Sequence, residues 1–129
     1  MSARELLELV RHHPELRKLL ALYQSVFFSQ VSQSVACNGL HSIIKRCCRW
    51  MLMTHDRLDS AELPLTHEFL AMMLGVRRTG VTEVLQSLQE RGLIKNGRGA
   101  ITVVDRKGLE QAACECYQIV NDEFKRVLG

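Results

Sequence analysis

The sequence has no apolar run approaching the ~20 residues that a membrane-crossing helix needs. Its opening, MSARELLELV, places Arg4, Glu5 and Glu8 where a secretory leader would be apolar. Neither a membrane span nor a leader is expected, and a cytoplasmic location is the default reading. The common catalytic signatures are also missing. There is no P-loop, no G-x-S-x-G elbow and no convincing acid/base pair of carboxylates, so no catalytic residue is assigned and the chain does not read as an enzyme. Its five cysteines are odd in number and include no C-x-x-C. On helices, Cys47 and Cys48 would point about 100° apart and Cys114 and Cys116 about 200° apart. Neither pair would then hold one ion. The five histidines show no H-E-x-x-H spacing. Reduced, mostly buried thiols are expected, with no metal site and no disulfide framework.

What is present is enough for a core. Hydrophobic residues make up 47% of the 129 positions, room for one ordinary domain or a small domain plus an extended helix. The net charge of +3 is modest but unevenly placed. Between Arg77 and Lys107 seven basic residues face three acidic ones. A local excess of this kind suits a phosphate backbone, although most charge clusters are solvated faces.

Apolar spacing predicts a short helix over 3–12, closed by His13 before Pro14. A long helix follows over 14–37, about 36 Å at 1.5 Å per residue. Steps of four and three join Leu16, Leu20, Tyr23, Phe27, Gln30 and Ser34 along it. Phe28, Val31 and Val35 form a second stripe. A rod with two faces to bury exceeds what so small a remainder can cover, so the first seam is assigned to a second copy of the chain. Asn38-Gly39 should break the rod, with Asn38 capping a helix over 39–55. Its expected buried set is Leu40, Ile43, Ile44, Cys47, Trp50, Met51 and Met53, with Lys45, Arg46 and Arg49 solvated. A polar connection, DRLDSAEL, follows.

The segment 65–92 carries the strongest signal. Thr66 can cap a helix HEFLAMML, Gly75 suits the left-handed turn after it, and a second helix runs over 77–91 to Gly92. Val76, Val81, Leu85 and Leu88 give the second helix an apolar stripe. Arg78, Thr79, Thr82, Glu83 and Gln86 occupy other faces. One helix braces while the other shows a polar face, as a helix-turn-helix requires. An ordinary helical hairpin would share the apolar pattern. Beyond Gly92 the period changes to two: strands at 93–94 and 101–104 flank Asn96-Gly97-Arg98-Gly99. This hairpin reads as a wing with Lys95 and Arg98 toward its tip. A last helix is expected over 108–127.

Three strings, CNGLHSIIKRCCRWMLMTHDR (37–57), LPLTHEFLAMMLGVRRTGVTEVLQSLQERGLI (63–94) and RGAITVVDRKGLEQAACECY (98–117), resemble the Crp/Fnr family of bacterial transcription regulators. The resemblance implies a mainly α fold with a small β-hairpin: a dimerisation segment over 1–37 and a winged helix-turn-helix DNA-binding domain over 38–129. It implies base contacts from Arg78, Thr79 and Glu83, with Thr82 and Gln86 as further candidates. Thr66, Arg77, Lys95 and Arg98 are candidates for the DNA backbone or the wing. The implied partners are double-stranded DNA and a second copy of the chain, with RNA polymerase as a further candidate and no membrane. Family members carry an upstream sensor barrel for a cyclic nucleotide or another signal. No such barrel is in this sequence, so no cofactor is expected. Arg77, Thr79 and Glu83 depart from the best-known member, so its operator does not transfer. Two alternatives stay open on the same fold: a protein-interaction module, and a thiol sensor using Cys47, Cys48, Cys114 or Cys116.

Overall fold

Ser2 starts the first helix of the computed structural model, which describes residues 1–129. Its hydroxyl accepts from the Glu5 amide while the Glu5 carboxylate accepts from the Ser2 amide, closing a capping box on α1 (Ala3–His12). Helix α2 (Pro14–Leu40) begins at Pro14, where a missing amide proton costs nothing. It runs through Asn38-Gly39 and ends at Leu40, so the expected break falls a few residues later than the sequence placed it. Asn38 does not cap a new helix, because its Oδ1 accepts from Arg46 Nη1 (3.3 Å). The His41 amide closes the last turn on the Cys37 carbonyl (3.0 Å). Ser42 then precedes α3 (Ile43–His55) in extended geometry.

The chain forms two compact units, residues 1–35 with 118–129, and residues 36–117. In the first, Tyr23 stacks on Phe27 (6.2 Å between centroids) and meets Phe124 edge-on (6.4 Å). Val26 is buried there, while Phe28 and Val35 are exposed.

The second unit is built around α3. This helix packs against strand β1 (Glu62–Leu63) and against α4 (His67–Leu74), α5 (Arg78–Glu90) and α6 (Arg106–Ala112). Neighbours on so many sides leave it almost no solvated face. Cys47, Cys48, Met51 and Leu52 are fully buried. The same crowding overturns the expected exposure of Arg46 and Arg49, which are also buried. Arg46 Nη1 donates to the Leu74 carbonyl (2.9 Å), occupying an acceptor that the end of α4 would otherwise leave unpaired. The Arg49 guanidinium lies 4.9 Å from the centroid of the Trp50 ring. Leu40, expected inside, is exposed.

The sheet has three antiparallel strands in the order β1-β3-β2. β2 (Ile94–Asn96) and β3 (Ile101–Val103) form the expected hairpin. β1 lies inside the supposed polar connection and pairs Leu63 with Ile101. Two residues are too few to show alternation in a sequence.

The expected final helix is two helices. Asp105 caps α6 by accepting from the Gly108 amide (3.0 Å). Gly108 lies so close to Leu93 and Asp105 that a β-carbon would collide with both. Ala113 turns extended, and α7 (Cys116–Leu128) starts after it. A tie between elements fixes this junction. Asp56 accepts from Arg106 Nη2 (2.6 Å) and from the Tyr117 hydroxyl (2.7 Å). Cys114 and Cys116 therefore do not share a helix, and their assumed divergence does not apply.

Candidate nucleic-acid interface

Thr66 caps the start of α4, and Gly75 makes the turn from α4 toward α5. Thr66 accepts from the Phe69 amide (3.1 Å), and Gly75 adopts φ 64°, ψ 37°. A residue with a β-carbon would be strained at that φ. Arg77, extended, precedes α5 without a side-chain cap. Val81, Leu85 and Leu88 are fully buried beneath α5. Arg78, Thr79, Thr82, Glu83 and Gln86 are all exposed. At about 100° per residue these five fall within an arc of about 140°, so the helix presents one continuous polar face.

Several contacts organise that face and tie it to its neighbours. Arg78 pairs with Glu68 of α4 (2.8 Å), with both side chains about two-thirds exposed (65% and 63%). His67 Nδ1 lies 3.0 Å from Thr82 Oγ1, and its Nε2 lies 3.3 Å from Asn96 Oδ1. The Asn96 amide donates to Gln89 Oε1 (2.7 Å). His67 thus links α4, α5 and the wing, a role the sequence did not suggest because its partners lie 15 and 29 residues away. Gln86 donates to Glu90 one turn on (3.2 Å).

The wing turn closes with the Gly97 amide donating to the Ala100 carbonyl (2.9 Å). Lys95 and Arg98 are exposed, as are Thr66 and Arg77. Lys95 stands in β2 opposite Thr102, behind the tip that carries Arg98. Arg106, counted within the basic excess, is held by Asp56 and Glu110. Its charge is already balanced.

The expected dimer seam is only partly covered. Leu20, Tyr23 and Phe27 are 38%, 48% and 48% exposed, while Leu16, Gln30 and Ser34 are half-buried. All five cysteines are buried and none is in a disulfide. Burial pushes the thiols of Cys47 and Cys48 up to about 12. A redox sensor needs an accessible thiolate, so these two do not suit that role.

A braced helix with an exposed polar face, followed at once by a β-hairpin that β1 completes into a three-stranded sheet, defines a winged helix-turn-helix protein. Residues 45–112 match the Crp-like helix-turn-helix domain, and the chain belongs to that family. It is 29% identical over 106 residues to the transcriptional regulator SdrP of Thermus thermophilus, covering 78% of this chain and 52% of that protein. Among solved structures, a Crp/Fnr-family transcriptional regulator from Thermus thermophilus superposes with a TM-score of 0.69 at 29% identity, over 78% of this chain and 55% of that one. FixK2 from Bradyrhizobium japonicum shares the fold with a TM-score of 0.76 at 15% identity, over 88% and 60% of the two chains. The chain thus spans about half the length of the relatives it matches.

Proposed function

We propose that this chain is the DNA-reading part of a transcription regulator that binds as a homodimer. The observation that carries the reading is the polar face of α5, exposed along one arc above a fully buried apolar stripe. An α-helix fits the major groove of B-DNA, and its first turns can reach base edges. Arg78 has the fork geometry for guanine O6 and N7, and Glu83 can accept from cytosine N4. Thr79, Thr82 and Gln86 extend the same face. Arg77 and Thr66 flank it at the phosphates, and Lys95 and Arg98 approach the backbone from the wing. The exposed apolar residues of α2 support pairing with a second copy, which would set two readers on inverted half-sites about one helical turn apart. RNA polymerase is a further partner for a regulator of this kind.

The test compares Arg78→Ala with the parent on selected and random duplexes. A base contact predicts a loss of about 1–3 kcal/mol on the selected site and a smaller loss on random DNA. Equal losses on both would reduce Arg78 to a phosphate contact.

A further inference from the structure

We propose that Cys37, His41, Cys114 and Cys116 form a structural zinc site. The four side chains converge at the end of α2 and in the break between α6 and α7, all within the 36–117 unit. One ligand atom from each lies within 4.8 Å of the other three. Cys37 Sγ is 3.5 Å from Cys114 Sγ, and Cys116 Sγ is 3.5 Å from His41 Nδ1. Zinc bonds of about 2.3 Å to sulfur and 2.0–2.1 Å to nitrogen place tetrahedral ligands roughly 3.5–3.8 Å apart. A zinc ion therefore fits with small side-chain adjustments. A disulfide fits less well, since an S–S bond of about 2.05 Å would draw the Cys37 and Cys114 sulfurs much closer.

Sequence spacing hid this site. Cys37 and His41 are one helical turn apart, so both can face the same point. The second pair spans an interrupted helix, which brings Cys114 and Cys116 to that point as well. The two pairs are more than seventy residues apart in the chain, and the separations of the contacting atoms are 77 and 75 residues.

The surroundings match a closed site rather than a catalytic one. The three cysteines are buried, and three thiolates with one imidazole complete a tetrahedron without an open position. His41 offers Nδ1 to the cluster while its Nε2 lies 3.1 Å from Glu115 Oε1, the carboxylate–histidine arrangement that orients a metal-bound ring. Three thiolates and one Zn²⁺ leave one negative charge. Burial pushes the Cys37 thiol up, and the charge of fully buried Arg49 acts in the opposite sense, toward the thiolate. Cys116 is also the first residue of α7, where the helix dipole favours a thiolate. Binding displaces three thiol protons to solvent with no change of oxidation state. The ion would staple the end of the long helix to the α6–α7 junction.

The test uses the full chain purified under reducing conditions. Zinc is counted by mass spectrometry of the metal, and Co²⁺ is loaded separately as a spectroscopic probe. One equivalent of zinc per chain is expected, with tetrahedral visible bands and thiolate-to-cobalt charge transfer that added zinc abolishes. Cys114→Ser should lose most of the charge-transfer intensity, whereas Cys47→Ser, outside the cluster, should keep it. If Cys114→Ser does not fold, the wild-type count and spectrum decide alone. A folded wild type with less than a tenth of an equivalent of zinc and no cobalt spectrum would overturn the site. So would equal spectral changes in Cys114→Ser and Cys47→Ser. The readout needs no DNA, so it stands or falls apart from the proposed function.

Discussion

Replacing Glu68 with Gln isolates the competition for Arg78. In the unbound protein Arg78 pairs with Glu68 at 2.8 Å, and both side chains are about two-thirds exposed (65% and 63%). An ion pair in so wet a setting contributes about 0.2–1 kcal/mol, so the substitution should change folding stability by less than about 0.5–1 kcal/mol. A base or phosphate contact requires Arg78 to leave Glu68. Removing the competitor, and with it one negative charge facing DNA, should raise affinity by about 1.4- to 5-fold, the factor equivalent to that energy. The gain should shrink as salt screens the pair. Fluorescence anisotropy on a labelled duplex across a salt series measures it. The control is a double-mutant cycle: in an Arg78→Ala background the Glu68→Gln gain should fall to what the charge alone supplies. An affinity that drops in the single variant would refute the reasoning, because Glu68 would then itself be a contact. An undiminished gain without Arg78 would do the same.

Substitutions at three other positions test separate parts of the account. Gly80 sits inside α5, and a β-carbon there meets only Ile43 Cδ1, at 4.0 Å; Gly80→Ala should stabilise the fold by about 0.5–1 kcal/mol in urea unfolding. Asp56→Ala removes the acceptor shared by Arg106 and Tyr117; with the Arg106 and Asp56 side chains about one-third exposed (33% and 30%), the loss should be about 2 kcal/mol after allowing for solvent screening. Asp56→Asn should recover part of that loss, and thermal melts can rank the three proteins. Lys95→Ala should weaken binding to selected and random DNA alike and lower the salt slope by about 1; an unchanged slope would remove Lys95 from the interface.

The helix-turn-helix was legible because its signals are local. Thr66, Gly75 and the Val81–Leu85–Leu88 spacing each act within a turn or two of chain, and all behave as their residue types dictate. The wing hairpin was legible for the same reason. What the sequence concealed depends on distant partners. Arg46 and Arg49 look solvated until α4, α5 and α6 close around α3. Asn38 looks like the cap of the next helix until Arg46 claims its side chain and Ser42 takes the cap position. The break at Ala113 lies between Arg106 and Tyr117, both of which bond Asp56, about fifty or more positions earlier. With that break unseen, the convergence of Cys114 and Cys116 on Cys37 and His41 was unseen too. His67 reads as an ordinary first-turn residue, and only the packed wing reveals its bridge to Thr82 and Asn96.

The central claim is that two copies of α5 read two half-sites. Selection of duplexes by this chain from a random DNA pool, followed by sequencing of the bound fraction, tests it most directly. The account predicts enrichment of an inverted repeat whose half-sites are centred about 10–10.5 base pairs apart, or a multiple of that spacing. It also predicts that Arg78→Ala relaxes preference at one position of each half-site. Recovery of unenriched sequence, or of a single half-site without a symmetric mate, would contradict the account.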